Sequence, residues 1–107
     1  MTFDHVGMIT EEKQDNEIWV EKTRVWVTDY KTHPYRVEWL RFEKDSPVRN
    51  AVRWKPHVAF RVGNLEAAAK GLKVLLEPFD VGFATVGFYE SKDGMVVEFM
   101  QYKEDQE

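Results

Sequence analysis

The chain has no cysteine. Disulfides and thiolate metal ligands are therefore excluded, and a reducing compartment suits it. It has no Lys/Arg cluster, and 15 basic residues against 19 acidic ones leave a net charge of -4. Nothing in that balance would draw a polyphosphate, so no nucleic-acid partner is expected. No apolar run is long enough to span a bilayer. The first residues, Met1-Thr2-Phe3-Asp4-His5, lack the basic and apolar regions of a signal peptide. A cytoplasmic protein without a membrane partner is the expectation. Gly82-Phe83 and Gly87-Phe88 open no helix, so neither reads as a phosphate loop.

What is present is globular. The 107 residues are 43% hydrophobic and 14% aromatic, enough for one domain with one core. Within it lies a repeat. Phe3-Asp4-His5-Val6-Gly7-Met8-Ile9-Thr10 matches Lys55-Pro56-His57-Val58-Ala59-Phe60-Arg61-Val62 in placing His before Val, a small residue and a large apolar one. Arg36-Val37-Glu38-Trp39-Leu40-Arg41-Phe42 matches Val96-Val97-Glu98-Phe99-Met100-Gln101-Tyr102. Each half opens on a His-bearing segment and closes on a Glu-bearing one. Module one runs to about residue 53 and module two from about 54 to 103.

All four segments read as strands, being short and rich in Val, Phe, Tyr and Trp. In the second half, Asn64 is a good N-cap, the alanines after Leu65 favour helix, and Gly71 suits the helix end, predicting a helix over 65–72. A strand from Lys73 to Glu77 should stop at Pro78. Another runs from about Thr85 to Glu90, and Lys92-Asp93-Gly94 turns into the last strand. The order is βαβββ. In the first half, His5 and Glu38 lie closer in sequence than His57 and Glu98 by about two helical turns. Residues 11–17 have no apolar stripe and read as a polar loop or single turn. Residues 24–29 and 35–43 form a hairpin through Lys31-Thr32-His33-Pro34. The fold class is α+β: paired βαβββ modules forming a cup-shaped mixed sheet, the first module lacking most of its helix.

Strand alternation puts His5 with Gly7 and Ile9, Glu38 with Leu40 and Phe42, His57 with Ala59, and Glu98 with Val96 and Met100. A lone strand His is usually a surface or hydrogen-bonded core residue, and a lone strand Glu usually faces solvent. Two of each, placed equivalently among apolar neighbours, could satisfy one another through a divalent cation. Imidazole and carboxylate without thiolate suit Zn, Ni, Mn, Fe or Co. Arg36 and Arg61 fall on the same face by alternation. Each is a weak candidate for an anionic substrate, weighed against an ion pair with a neighbouring carboxylate.

Paired modules with His on the first strand and Glu on the last resemble the vicinal oxygen chelate superfamily, which includes glyoxalase I, methylmalonyl-CoA epimerase, extradiol dioxygenases, and fosfomycin- and bleomycin-resistance proteins. The resemblance covers nearly the whole chain. It is strongest over Pro56-His57-Val58-Ala59-Phe60-Arg61-Val62 and Asp93-Gly94-Met95-Val96-Val97-Glu98-Phe99. It implies a cup around a metal held by His5, Glu38, His57 and Glu98, a set that looks like that of glyoxalase I. It further implies a lyase or isomerase acting on a small oxygenated substrate. The metal would be the Lewis acid, and Glu98 or Glu38 the base, Glu98 by preference. The alternative is a non-catalytic module of the same fold that binds or sequesters a small molecule. The missing first helix departs from the family pattern and leaves Val6, Met8, Val37 and Trp39 short of cover. Trp19, Trp26, Trp39 and Trp54 all lie in that thinned half. A homodimer burying part of this surface is expected, against the alternative that Trp19 and Val20 fold back as an extra strand.

Overall fold

The computed structural model describes residues 1–104. Asp105 to Glu107, most of the acidic tail that the sequence reads as frayed, lie outside the described residues. The chain forms two compact units: His5–Pro56, and Met1–Asp4 together with the chain from His57 onward.

Each unit carries four strands of a mixed sheet. The first carries β1 (Thr2–Ile9, entering from the other unit), β2 (Ile18–Val20), β3 (Val25–Val27) and β4 (Val37–Phe42), in the order β2-β3-β4-β1. The second carries β5 (His57–Arg61), β6 (Lys73–Asp80), β7 (Ala84–Glu90) and β8 (Val96–Tyr102), in the order β5-β8-β7-β6. The pattern is the same in both. The first strand runs parallel to the last, β1 beside β4 and β5 beside β8. The remaining neighbours are antiparallel. The α+β class and the repeat expected from the sequence are therefore present, and so is the hairpin of β3 and β4.

The units differ in how the strands are connected. In the second, Asn64 caps helix α2 (Leu65–Ala69) by accepting from the Ala67 N–H at 2.9 Å. The helix is shorter than predicted, and Gly71, at φ +84°, turns the chain away beyond it. Leu65, Ala68 and Ala69 pack on Val62, Tyr89 and Phe99, burying one sheet face. In the first unit residues 10–17 contain no helix. The extra strand anticipated as the alternative is present: Ile18–Val20 pairs antiparallel with β3. Val6, Met8, Val37 and Trp39 are half-buried.

Two expectations are corrected. β6 does not stop at Pro78 but continues to Asp80. It is an edge strand, and its pairing with β7 shifts register between Leu76 and Phe79, where a residue lacking an N–H costs no ladder bond. A short helix, α1 (Ala51–Trp54), precedes β5 where the sequence showed only a boundary. Its Arg53 donates to the carbonyls of Glu43, Lys44, Ser46 and Val48, folding the connection around one guanidinium. Among the described residues no helix is long and apolar enough to cross a membrane.

Candidate metal site

In both units a His and a Glu meet by the same construction. In the first, β1 and β4 run parallel with Gly7 opposite Glu38, and His5 stands two residues before Gly7 on the same face. In the second, Ala59 lies opposite Glu98, and His57 stands two residues before Ala59. The small residue at the crossing point leaves room for the two polar side chains to converge. This accounts for the His-Val-small pattern seen twice in the sequence.

His5 Nε2 lies 3.6 Å from Glu38 Oε1, and His57 Nε2 lies 3.2 Å from Glu98 Oε1. His5 and His57 are each 1% exposed and Glu98 6%. Glu38 is the most open of the four, with its side chain 15% exposed. A divalent ion suits each pair. Donors held about 2.1 Å from one ion, at angles between octahedral and tetrahedral, stand about 3.0–3.4 Å apart. The His5–Glu38 separation lies about 0.2 Å beyond the upper end of that range and the His57–Glu98 separation falls inside it. The first is longer than a hydrogen bond and the second is at its limit. The donor set, imidazole nitrogen and carboxylate oxygen, matches Zn, Ni, Mn, Fe or Co.

Aromatic rings back both imidazoles, a feature with no local signature in the sequence. Tyr30, in a 3-10 turn (Tyr30–Thr32), stacks on His5 with centroids 3.9 Å apart and planes 14° from parallel. Phe88 on β7 meets His57 edge to face, 5.1 Å between centroids and 88° between planes.

The two arginines are placed differently from one another. Arg61 packs 3.8 Å over the Tyr102 ring, with Nη2 4.0 Å from Asp4 Oδ2. Tyr102 donates its hydroxyl to the same carboxylate at 2.8 Å, so the ion-pair reading of Arg61 is the one the geometry supports. Arg36 does not follow strand alternation. It sits just before β4 at φ +56°, and its guanidinium lies 5.2 Å over Tyr30. His33 accepts from the Tyr35 N–H through Nδ1 at 3.0 Å and plays a turn-closing role.

The sequence matches no known family model and no curated protein. Solved structures do resemble the fold. Methylmalonyl-CoA epimerase from Mycobacterium tuberculosis superposes with a TM-score of 0.61 at 14% identity, over 95% of this chain and 88% of that one. At that identity the likeness establishes the fold, which is the one the sequence resemblance implied. An NAD-dependent benzaldehyde dehydrogenase from Legionella pneumophila (TM-score 0.37, 11% identity, 74% of this chain and 72% of that one) overlaps too loosely to carry an argument. The same holds for UcmS2 (TM-score 0.38, 15% identity, 94% of this chain and 97% of that one).

Proposed function

We propose that this protein is a metal-dependent isomerase or lyase acting on a small oxygenated substrate, with His5, Glu38, His57 and Glu98 as the ligands of one divalent transition metal. The observation that carries this reading is the doubled His–Glu pair, built by the same strand register in each unit at separations suited to shared coordination. A bound metal would polarise a substrate oxygen and stabilise the negative charge that develops there when a neighbouring C–H is deprotonated.

Glu98 is the base we favour. It is buried beside the His57–Phe88 pair, where little water competes for its oxygens. It takes the proton from the carbon adjacent to the substrate carbonyl. Return of a proton to that carbon or its neighbour completes an isomerisation, and in this reading Glu38, the more accessible carboxylate, exchanges protons with solvent. The fold neighbour is named as a methylmalonyl-CoA epimerase, so acyl-CoA thioesters with an acidic α-hydrogen are the first substrates to try. A second reading, a non-catalytic module that binds a small molecule, is favoured by the absence of a helix at residues 10–17, which leaves less chain to shape a substrate pocket. A homodimer through the Trp-bearing face of the first unit belongs to this proposal too, and sedimentation velocity tests it.

Protein purified without chelators should carry about one equivalent of transition metal by elemental analysis, and His57→Ala should lose it. Acyl-CoA thioesters incubated in deuterated water should then gain deuterium at the α-carbon. Glu98→Gln should keep most of the metal and lose the exchange. Metal without exchange on any thioester would favour the binding module. No uptake after reconstitution with Zn, Ni, Mn, Fe and Co would end the metal reading.

A further inference from the structure

The imidazole torsion of a histidine is broad and roughly two-fold. A ligand His therefore needs something to fix its ring plane, usually a hydrogen bond to its second nitrogen. One such constraint on His5 is a stacked ring. Tyr30 is 6% exposed and lies face to face with the imidazole. Rotation of either ring about its terminal torsion would drive it into the other.

The loop that supplies Tyr30 is closely specified. Asp29 caps the 3-10 turn by accepting from the Lys31 N–H at 2.9 Å, and the Thr32 hydroxyl donates to the Asp29 carbonyl. The His33 N–H bonds the Tyr30 carbonyl, and the Arg36 N–H bonds the His33 carbonyl. Arg36 then takes a left-handed conformation, φ +56°. For a residue with a Cβ this costs about 1 kcal/mol or more and persists only where the surroundings enforce it. The result places the Arg36 guanidinium over the Tyr30 ring and starts β4 at Val37, one residue before Glu38. One loop thus positions the ring that stacks on His5 and delivers the strand that carries its partner carboxylate.

We propose that Tyr30 is the positioning residue of His5. It fixes the imidazole plane so that Nε2 faces Glu38 Oε1, and Arg36 holds Tyr30 in place. This inference rests on the metal reading above, and the test separates the two. The probe is Co(II), titrated into metal-free protein and followed by its visible absorption. Loss of a group that orients a ligand costs about 10–100-fold in metal affinity, the weakening expected for Tyr30→Leu. The Co(II) bands should shift with it. Tyr30→Phe keeps the ring and should restore both affinity and spectrum, a rescue that follows the stack and not the hydroxyl. If Tyr30→Leu does not fold, Arg36→Ala serves in its place, releasing the ring from the other contact and weakening Co(II) in the same direction. Wild-type affinity and bands in whichever of these variants folds would overturn the proposal. If the wild-type protein takes up no Co(II), the metal reading fails, and the stack is judged on the metal-free protein. The ring protons of His5 should be shifted upfield in wild type and Tyr30→Phe and move back in Tyr30→Leu or Arg36→Ala. Unchanged shifts would overturn the positioning role itself.

Discussion

The two units repeat one strand order and one His–Glu register, yet they cover the outer face of the sheet by different chemistry. In the second, α2 lays Leu65, Ala68 and Ala69 on Val62, Tyr89 and Phe99. In the first, alternation from the register puts Trp19, Trp26, Trp39 and Arg41 on one face. No helix lies between β1 and β2. Instead, planar groups pack in sequence, the two indoles tilted 49° to one another. Arg24 lies 5.1 Å over Trp19, Trp19 is 4.8 Å from Trp26, and Arg41 is 5.7 Å over Trp26. Carboxylates tie the group together. Glu21 accepts from the Trp19 indole N–H, Glu43 from that of Trp26, Asp45 from Arg24, and Glu17 takes two hydrogen bonds from Arg41 at 2.7 and 2.9 Å. One module hides apolar surface under a helix. The other covers it in part with guanidinium groups, whose flat faces suit indole rings and whose edges need anions, and leaves Trp19, Trp26 and Trp39 half-buried. The first solution should be indifferent to salt and the second sensitive to it.

The largest effect should come from breaking the apolar solution. Phe99 is 4% exposed and central to the cluster, so Phe99→Ala should lower the unfolding free energy by about 3–5 kcal/mol, measured by urea titration. The loss should be the same in 0.05 M and 1 M NaCl, and a clear salt dependence would contradict the apolar account. Next comes Gly87→Ala. A Cβ at Gly87 would run into the Tyr89 hydroxyl and approach Cζ to 2.9 Å, and a buried clash of this kind costs about 1–3 kcal/mol. Because the closest atom is the hydroxyl, Tyr89→Phe in the Gly87→Ala background should recover part of the loss. Purely additive behaviour in the double-mutant cycle would show that the clash is relieved some other way.

How much of this the sequence displays depends on whether the cause is local. The α2 helix is legible because its cap, Asn64, and its terminator, Gly71, are neighbours of the residues they control. The four strands bearing His5, Glu38, His57 and Glu98 are legible because the pattern occurs twice. The Arg–Trp cluster is not. Arg41 reaches Trp26 and Glu17 only through the register of β2, β3 and β4, and register follows from long-range pairing. Tyr30 is invisible for a different reason: a 3-10 turn has no apolar period to mark which ring faces inward. Arg36 misleads, since alternation assumes extended backbone and the residue is left-handed. Pro78 misleads because a stop signal applies to central strands and β6 is an edge.

Breaking the charged solution should have a smaller effect than either core change. The Glu17 side chain is 5% exposed and that of Arg41 21%. Glu17→Gln removes the charge from a two-point contact and should cost about 1–2 kcal/mol at low ionic strength. Here salt should matter. The gap between wild type and variant should narrow in 1 M NaCl as the pair is screened. A gap that stays constant would mean that the packing of the indoles, and not the ion pair, carries the cover.

The smallest and most discriminating effect is in pH. The hydrogen bonds from Arg41 hold the Glu17 carboxyl below its ordinary value, outweighing its partial burial. A depressed carboxylate contributes stability that is complete above the unfolded value, about 4.3, and is lost as pH falls through the lower folded one. Tyr89 is the reverse case. Burial first, then the nearby Glu77 charge, raises its phenol above the ordinary value. Its contribution is complete below the unfolded value, about 10, and is lost as pH rises through the folded one. Glu17 should therefore loosen the first unit on the acid side and Tyr89 the second on the alkaline side, while Asp80 and Asp93, whose hydrogen bonds hold them below the ordinary value, give the second an acid limb of its own. Hydrogen exchange resolved by residue reads the two limbs separately. Glu17→Gln should flatten the acid loss of protection in β3 and β4 and leave the alkaline limb alone. Tyr89→Phe should flatten the alkaline loss in β7 and β8 and leave the acid limb alone. If either variant flattened both limbs, the two units would be unfolding together, and the difference in their chemistry would not be a difference in their stability.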